Sequence, residues 1–318
     1  MKPLVVITGA TGRLGRSICS AFRNAGYHVA AVTRSTMRGI EADEVLCAPD
    51  LWHVPAPQAQ PVAVVHLAAE TSCETAMFAV NVEGSRAILE WAVRHQARQV
   101  IYMSSVGVYG TSGGGLVTPA TKRHPINMYE RTKTVAEDLV LRLASGASLP
   151  VTVLQPSNVF GVGAHWPRPL LQLMRTIRRG RFRYIGRQET PFNYVEVRDV
   201  AKACVEALRD EAHGRTFILN DPLPLSRVVK IVADAAGVEP PRRRLPYAVA
   251  LSAAAAMSGV AMLSRRSVPL DLARLRALTT QTTYDGSEIT SMLGFRYAIG
   301  TERGLQELAH YYRELSLL

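Results

Sequence analysis

Cysteine is scarce in this chain. Cys19, Cys47, Cys73 and Cys204 are the only four in 318 residues, they lie far apart, and none forms a CxxC pair. A disulfide framework and a thiolate zinc site are therefore excluded, no other metal site is read, and a reducing cytosol fits. Internal repeats and low-complexity tracts are lacking too, and 23 Gly with 18 Pro is far from a collagen-like composition. The start, Met1-Lys2-Pro3 and then Leu4 to Thr8, is too short an apolar stretch for a signal peptide, so a cytoplasmic location is expected. Acidic residues are the minority charge, 26 against 37 Lys plus Arg, which leaves a formal +11. Such a balance suits phosphate-bearing small molecules, nucleic acid or anionic lipid. The arginines gather between Arg175 and Arg187 and at Arg242 to Arg244 rather than along one helix. With no nucleic-acid motif beside them, no nucleic-acid partner is expected.

What the chain does have is core-forming material, 47% hydrophobic residues over a length of about two domains. Apolar runs at Leu4 to Thr8, Val29 to Thr33, Val62 to Leu67, Gln99 to Ser104 and Val151 to Leu154 alternate with helix-period segments. Continuous rather than alternating hydrophobicity means strands covered on both faces, so an α/β Rossmann-type, doubly wound parallel sheet is expected. Helices are placed at Leu14 to Ala25, Phe78 to His95 and Met128 to Ala144. After Pro156 the alternation breaks down, while Phe192 to Val197 and Val200 to Leu208 read as a return to the first domain. The division drawn is a dinucleotide-binding domain of 1–155 and 193–220, interleaved with a smaller substrate-binding domain of 156–192 and 221–318. Leu245 to Ser264 carries no charge over 20 residues, yet seven are Ala and it holds Pro246, three Ser and Gly259. A packed or substrate-covering helix is the expectation there, and a weak membrane-surface contact through 245–264 stays open.

The strongest local pattern is Thr8-Gly9-Ala10-Thr11-Gly12-Arg13-Leu14-Gly15, coming off the first strand and opening the first helix. Gly9 allows a tight turn, Gly12 lets the backbone amides of the Thr11 to Leu14 segment approach a pyrophosphate, and Gly15 permits close helix packing. Further on, Ser105 follows the fifth strand, and Tyr129 and Lys133 form a YxxxK pair. Four residues apart on a helix, phenol and ammonium face the same way, so the cation is expected to pull the Tyr129 pKa down.

The TGxxGxxG spacing resembles the short-chain dehydrogenase/reductase superfamily, and the later motifs resemble its extended branch of epimerases, dehydratases and reductases. The resemblance implies Ser105, Tyr129 and Lys133 as the catalytic set, with Tyr129 passing the proton, Ser105 polarising the substrate oxygen and Lys133 also reaching the nicotinamide ribose. It implies cofactor contacts from Asp50 and Leu51, from Leu67, Ala68 and Ala69 in the HxAA-like segment, from Asn81 in the NVxGT-like helix, and from Ser104, Pro156 and Asn158. Where NAD-binding relatives carry a ribose-holding carboxylate, this chain has Thr33-Arg34-Ser35. Arg34 and Ser35, with Arg13 nearby, suit a 2'-phosphate, so NADP is expected, with NAD as the alternative.

Val106 and Gly107 stand where sugar dehydratases of the family carry acids, which disfavours dehydration. Gln155 and Phe192 replace arginines expected in nucleotide-sugar epimerases, although Arg274 or Arg276 would be a second diphosphate clamp. The stretches 192–199, 268–278 and 284–295 resemble hydroxysteroid dehydrogenase and dihydroflavonol reductase relatives. An NADP(H)-dependent reductase of an apolar or aromatic carbonyl compound is the reading, with epimerisation as the alternative and an NADPH-sensing regulator less favoured. Candidate substrate contacts are Ser157, Phe160, His165, Phe192 and Tyr194, and a homodimer stays open.

Overall fold

The computed structural model describes residues 2–34, 40–110, 114–162, 168–264 and 272–318. From the N-terminus, β1 (Leu4–Thr8) leads into α1 (Arg13–Asn24), then β2 (His28–Thr33), β3 (Glu44–Cys47) and β4 (Pro61–His66). A composite helix follows, made of α2 (Glu74–Phe78), a π-helical turn (Ala79–Glu83) and α3 (Gly84–Arg94). After it come β5 (Val100–Met103), the short β6 (Gly115–Val117), α4 (Met128–Gly146) and β7 (Val151–Pro156). Next are β8 (Asn158–Phe160), α5 (Arg168–Arg178), β9 (Tyr184–Ile185), β10 (Pro191–Phe192), β11 (Tyr194–Glu196), α6 (Val197–Glu206) and β12 (Thr216–Leu219). The remainder carries β13 (Leu223–Pro224), α7 (Leu225–Ala236), β14 (Arg244–Leu245), α8 (Tyr247–Ser264), α9 (Leu272–Thr279), β15 (Thr282–Tyr284), α10 (Ser287–Leu293) and α11 (Gly300–Glu314).

Seven strands form one parallel sheet in the order β12-β7-β5-β4-β1-β2-β3. Successive side chains of its strands serve two cores, which is why the strands read as continuous apolar runs. Val5, Ile7, Val29 and Ala31 pack with Ile18 and Phe22 of α1 and with Val200 and Cys204 of α6. On the other face, Leu4, Val6, Ala30 and Val32 pack with Ile88 and Trp91 of α3 and with Ala136 and Val140 of α4. This is the doubly wound Rossmann-type fold expected from the apolar runs.

A third core is built by α5, α7 and α11 around Leu170, Met174, Val228, Val232, Leu305 and Leu308. Helix α10 departs from the expected division. Ile289 and Leu293, with Phe295 beyond them, join the first sheet core although they lie in the stretch assigned to substrate. Strand β12 is an edge strand, and α10 packs against it. Covering an exposed sheet edge is the physical reason for the return.

The uncharged stretch, expected as a packed or substrate-covering helix, is only lightly packed where it is described. Within residues 247–258, α8 fully buries only Ala250 and Ala254, which meet Ile185 and Leu275. Alanine offers little side-chain area, so the helix is held by a thin seam. Among the described residues no helix is long and apolar enough to cross a membrane.

Candidate active site

The strand order reverses between β1 and β4, and open α/β sheets bind ligands in the crevice at the carboxyl ends of such strands. The glycine loop sits there. Gly9 has φ +69°, and a Cβ on it would lie 2.8 Å from the Ala68 nitrogen. At Gly15 a Cβ would come within 2.3 Å of the Gly9 carbonyl oxygen, so the close approach of α1 to β1 requires glycine. No side chain caps the start of α1 and no acidic residue lies in its first turn. Its amide groups and dipole therefore suit an anion, and the cradle fits a dinucleotide pyrophosphate.

Around this loop the expected cofactor residues divide. Leu67 and Ala68 donate their backbone N–H groups to Thr8 Oγ1 at 3.2 and 3.3 Å, which lays the 67–69 segment over Gly9. Arg34 at the end of β2 and Arg13 at the start of α1 are exposed, while Ser35 lies outside the described residues. Asp50 is not at a strand end: β3 stops at Cys47, because only Leu46 of that short edge strand is buried. The Asp50 carboxylate instead accepts from the Trp52 and His53 backbone N–H groups and the His53 ring, so it is spent on a local turn. Leu51 packs on Gly84, where a Cβ would meet its Cδ1 at 2.6 Å. Asn81 is buried and saturated: its amide donates to the Glu70 carbonyl and Thr132 Oγ1 and accepts from the Glu70 N–H. It ties the loop after β4 to α4 rather than reaching into the crevice.

His66 is fully enclosed between Thr8 Oγ1 at 2.7 Å and Ser85 Oγ at 2.9 Å. Thr8 already accepts two N–H groups and Ser85 donates to the Asn81 carbonyl, so the neutral ring with its proton on Nε2 satisfies every partner. Burial, aided by the nearby Lys133 charge, holds its pKa down to about 3. Between the unfolded value near 6.5 and that figure the unfolded chain binds more protons, so stability falls as pH drops through this window. A loss of about 2–3 kcal/mol between pH 7 and pH 4.5 is expected from this group. His66→Gln, compared with the parent by urea unfolding at both pH values, is expected to lack that part of the slope. Equal slopes would remove His66 as its source.

Tyr129 lies in the first turn of α4, whose start is secured by a reciprocal cap. Asn127 Oδ1 accepts from the Glu130 N–H at 2.9 Å, and Glu130 Oε2 accepts from the Ile126 N–H at 2.8 Å. The Tyr129 phenol lies near Ser105, whose Oγ accepts from the Gly107 N–H at 3.0 Å. Lys133 is buried one turn further along. Its Nζ donates to Tyr102 Oη at 2.9 Å and to the Met103 carbonyl at 2.6 Å. Ser105, Tyr129 and Lys133 are thus brought together, but the expected lowering of the phenol is not what the geometry delivers. Burial raises the Tyr129 pKa against the downward pull of the neighbouring Ser105 hydroxyl, and the Glu130 charge adds to the rise. The Lys133 ammonium is directed at β5, and burial lowers it to about 7 against the upward pull of Glu137.

Glu137 is the residue that motif reading missed. It is completely buried, one turn after Lys133. Ser104 Oγ donates to it, Gln155 Nε2 donates to both of its oxygens at 3.1 Å, and Arg123 pairs with it. The Ser104 hydroxyl is therefore committed to Glu137 rather than to a cofactor. Tyr109 Oη donates to Gln155 Oε1 at 2.7 Å, completing the network. A signal was available, since a carboxylate at 137 interrupts the apolar stripe of Ala136 and Val140.

On the expected substrate side, Pro156 and Ser157 are buried at the end of β7, and among the described residues Ser157 Oγ has no hydrogen-bond partner. Asn158 is exposed and donates to the Asn193 carbonyl at 3.1 Å. Phe160 is fully buried in the third core, and Phe192 stacks on Tyr194 with ring centroids 3.8 Å apart. These three aromatics hold the second lobe together instead of lining an open pocket. His165 and the Arg274 side chain lie outside the described residues, and Arg276 is exposed on α9.

Comparison with known proteins decides the family. The NAD dependent epimerase/dehydratase family matches residues 5–219, which spans both the glycine loop and the YxxxK helix. The chain belongs to that family. It is an NAD(P)-dependent oxidoreductase of the extended short-chain dehydrogenase/reductase type. A putative dihydroflavonol 4-reductase of Synechocystis sp. is 26% identical, covering 98% of this chain and 95% of its own. Sterol demethylase protein B of Methylococcus capsulatus is 24% identical over 98% of this chain and 99% of its own. Among solved structures, UDP-glucuronic acid 4-epimerase from Bacillus cereus in complex with NAD superposes with a TM-score of 0.73. At 16% identity over 98% of this chain and 99% of the other, that likeness speaks to fold alone.

Proposed function

We propose that this family member is an NADP(H)-dependent ketone reductase or alcohol dehydrogenase acting on an apolar or aromatic substrate through Ser105, Tyr129 and Lys133. The observation that carries the reading is the placement of the Tyr129 phenol near Ser105, with a buried ammonium one turn along the same helix. When bound, the dinucleotide supplies or takes up the hydride. In the reductive direction Tyr129 gives its proton to the carbonyl oxygen, while Ser105 offers its O–H to the same atom. Lys133 provides positive charge close to where the phenolate forms. We assign the dinucleotide to 1–155 and 193–220, and the substrate to 156–192 and 221–318 apart from α10.

Reduction is favoured over epimerisation because two of the positions that would grip a diphosphate, 155 and 192, carry no charge. Gln155 is bound into the Glu137 network and Phe192 is stacked in a core. The names of the reductase and sterol-metabolising relatives agree with an apolar substrate. The deciding experiment is a turnover screen with NADPH and NADH against a ketone panel and a nucleotide-sugar panel. Net oxidation of NADPH by a ketone supports the reading, and isomerised sugar without net cofactor oxidation overturns it.

The NADP preference rests on exposed Arg34 at the end of β2, with Arg13 exposed at the start of α1. A charge-assisted contact of this kind is worth about 1.5–3 kcal/mol. Arg34→Ala is therefore expected to raise KM for NADPH by about 10- to 100-fold and to leave KM for NADH nearly unchanged. Equal effects on both cofactors, measured by initial rates, would remove Arg34 as the discriminating residue.

A further inference from the structure

Two features of the second lobe meet at one place without being used by the reaction. Strand β14 pairs in parallel with β9, Arg244 opposite Tyr184 and Leu245 opposite Ile185, and only Pro246 separates β14 from α8. This ladder presents exposed arginines at 181, 187, 242, 243 and 244, and among the described residues none of them has an acidic partner. Arg244 is held in place by the Gly186 carbonyl at 3.2 Å and by the Tyr184 ring. The nearest acids in sequence are Glu189, which accepts from the Ser226 N–H, and Glu239. Directly after this basic edge, α8 carries no charged side chain, and Tyr247, Val249 and Leu251 are 50%, 53% and 41% exposed.

An uncharged, outward-facing helix fed by a cluster of unpaired arginines matches a surface that is anionic outside and apolar just beneath. We propose that α8 and the β9–β14 ladder form a docking face for an anionic lipid bilayer. The helix lies in the interfacial plane, apolar side chains toward the acyl boundary, while the arginines meet headgroup phosphates. Nucleic acid would use the arginines but has no need of a bare aliphatic helix, and a second copy of the chain would bring arginines against arginines. The inference stands apart from the reductase reading, since it does not depend on which substrate is turned over.

The test is flotation of the full chain with vesicles of phosphatidylcholine alone and of phosphatidylcholine with about one third phosphatidylglycerol. Recovery with the anionic vesicles, released when salt is raised several-fold, is the expected result. Each arginine near such a surface contributes roughly a fivefold gain in partition, so R242S/R243S should weaken it about 25-fold. V249D/L251D should reduce partition at least about tenfold, because two charges must then enter the apolar layer. Circular dichroism and NADPH binding of both variants are expected to match the parent, which separates lost docking from lost folding. Absence of the parent from the anionic vesicle fraction overturns the proposal. So does unchanged partition of V249D/L251D, tighter binding to single-stranded RNA than to vesicles, or a dimer that dissociates only in V249D/L251D.

Discussion

Replacing Tyr129 by Phe is expected to lower kcat/KM for ketone reduction by about 10²- to 10⁴-fold, the contribution of a positioned general acid. Only one oxygen is removed, and the ring keeps its half-buried place in the first turn of α4. NADPH affinity should stay within about threefold, because the phosphate cradle is built by α1 and the loop after β4 rather than by the phenol. Ser105 keeps the Gly107 N–H, so its own position is retained. Binding measured by fluorescence titration and turnover measured by cofactor absorbance separate the two effects. A variant with parental kcat/KM would remove Tyr129 from the chemistry. One whose rate loss is matched by lost NADPH binding would make it structural.

The second large effect concerns Glu137. Converting it to Leu leaves the Gln155 amide and the Ser104 hydroxyl without their acceptor and takes one of two carboxylates from Arg123. Breaking a buried pair by removing one partner costs about 3–5 kcal/mol. Arg123 is 26% exposed and keeps Asp138, which places the expected loss toward the lower end. A fall in Tm of roughly 10 °C follows for a chain of this size. The double variant R123M/E137L should recover part of the loss, since neither charge is then left unpaired. Additive losses in that cycle would deny the pair any coupling. Glu137→Gln is expected to retain more stability yet to shift the pH dependence of kcat/KM. The carboxylate raises the Lys133 pKa, and without it the ammonium is lost at lower pH as pH rises. An unmoved profile would separate Glu137 from the chemistry and leave it a purely structural role.

Periodicity and residue type carry far in this chain. The apolar runs at 4–8 and 29–33 are central strands because Val and Ile on both faces have no stable place outside a covered sheet. Gly9 and Gly15 were legible because the positions they occupy leave no room for a Cβ. Ser105, Tyr129 and Lys133 were legible because spacing along a helix and position after a strand are local properties. Asp50 and Phe160 were not, since whether a carboxylate faces a ligand or closes its own turn, and whether an aromatic lines a pocket or fills a core, depends on chain hundreds of ångströms of contour away or on a neighbour two residues on.

Local pattern by itself determined the sheet, the glycine-loop turn and the side chains proposed to react, because each follows from backbone period, steric room and functional group. Only the tertiary structure decided where the Lys133 ammonium points, that Glu137 is buried against Arg123, and that residues 247–258 of α8 stand largely bare. Desolvation and ion pairing arise between segments far apart in the chain, such as 102, 123, 137 and 155 here, so no stretch of sequence contains them alone.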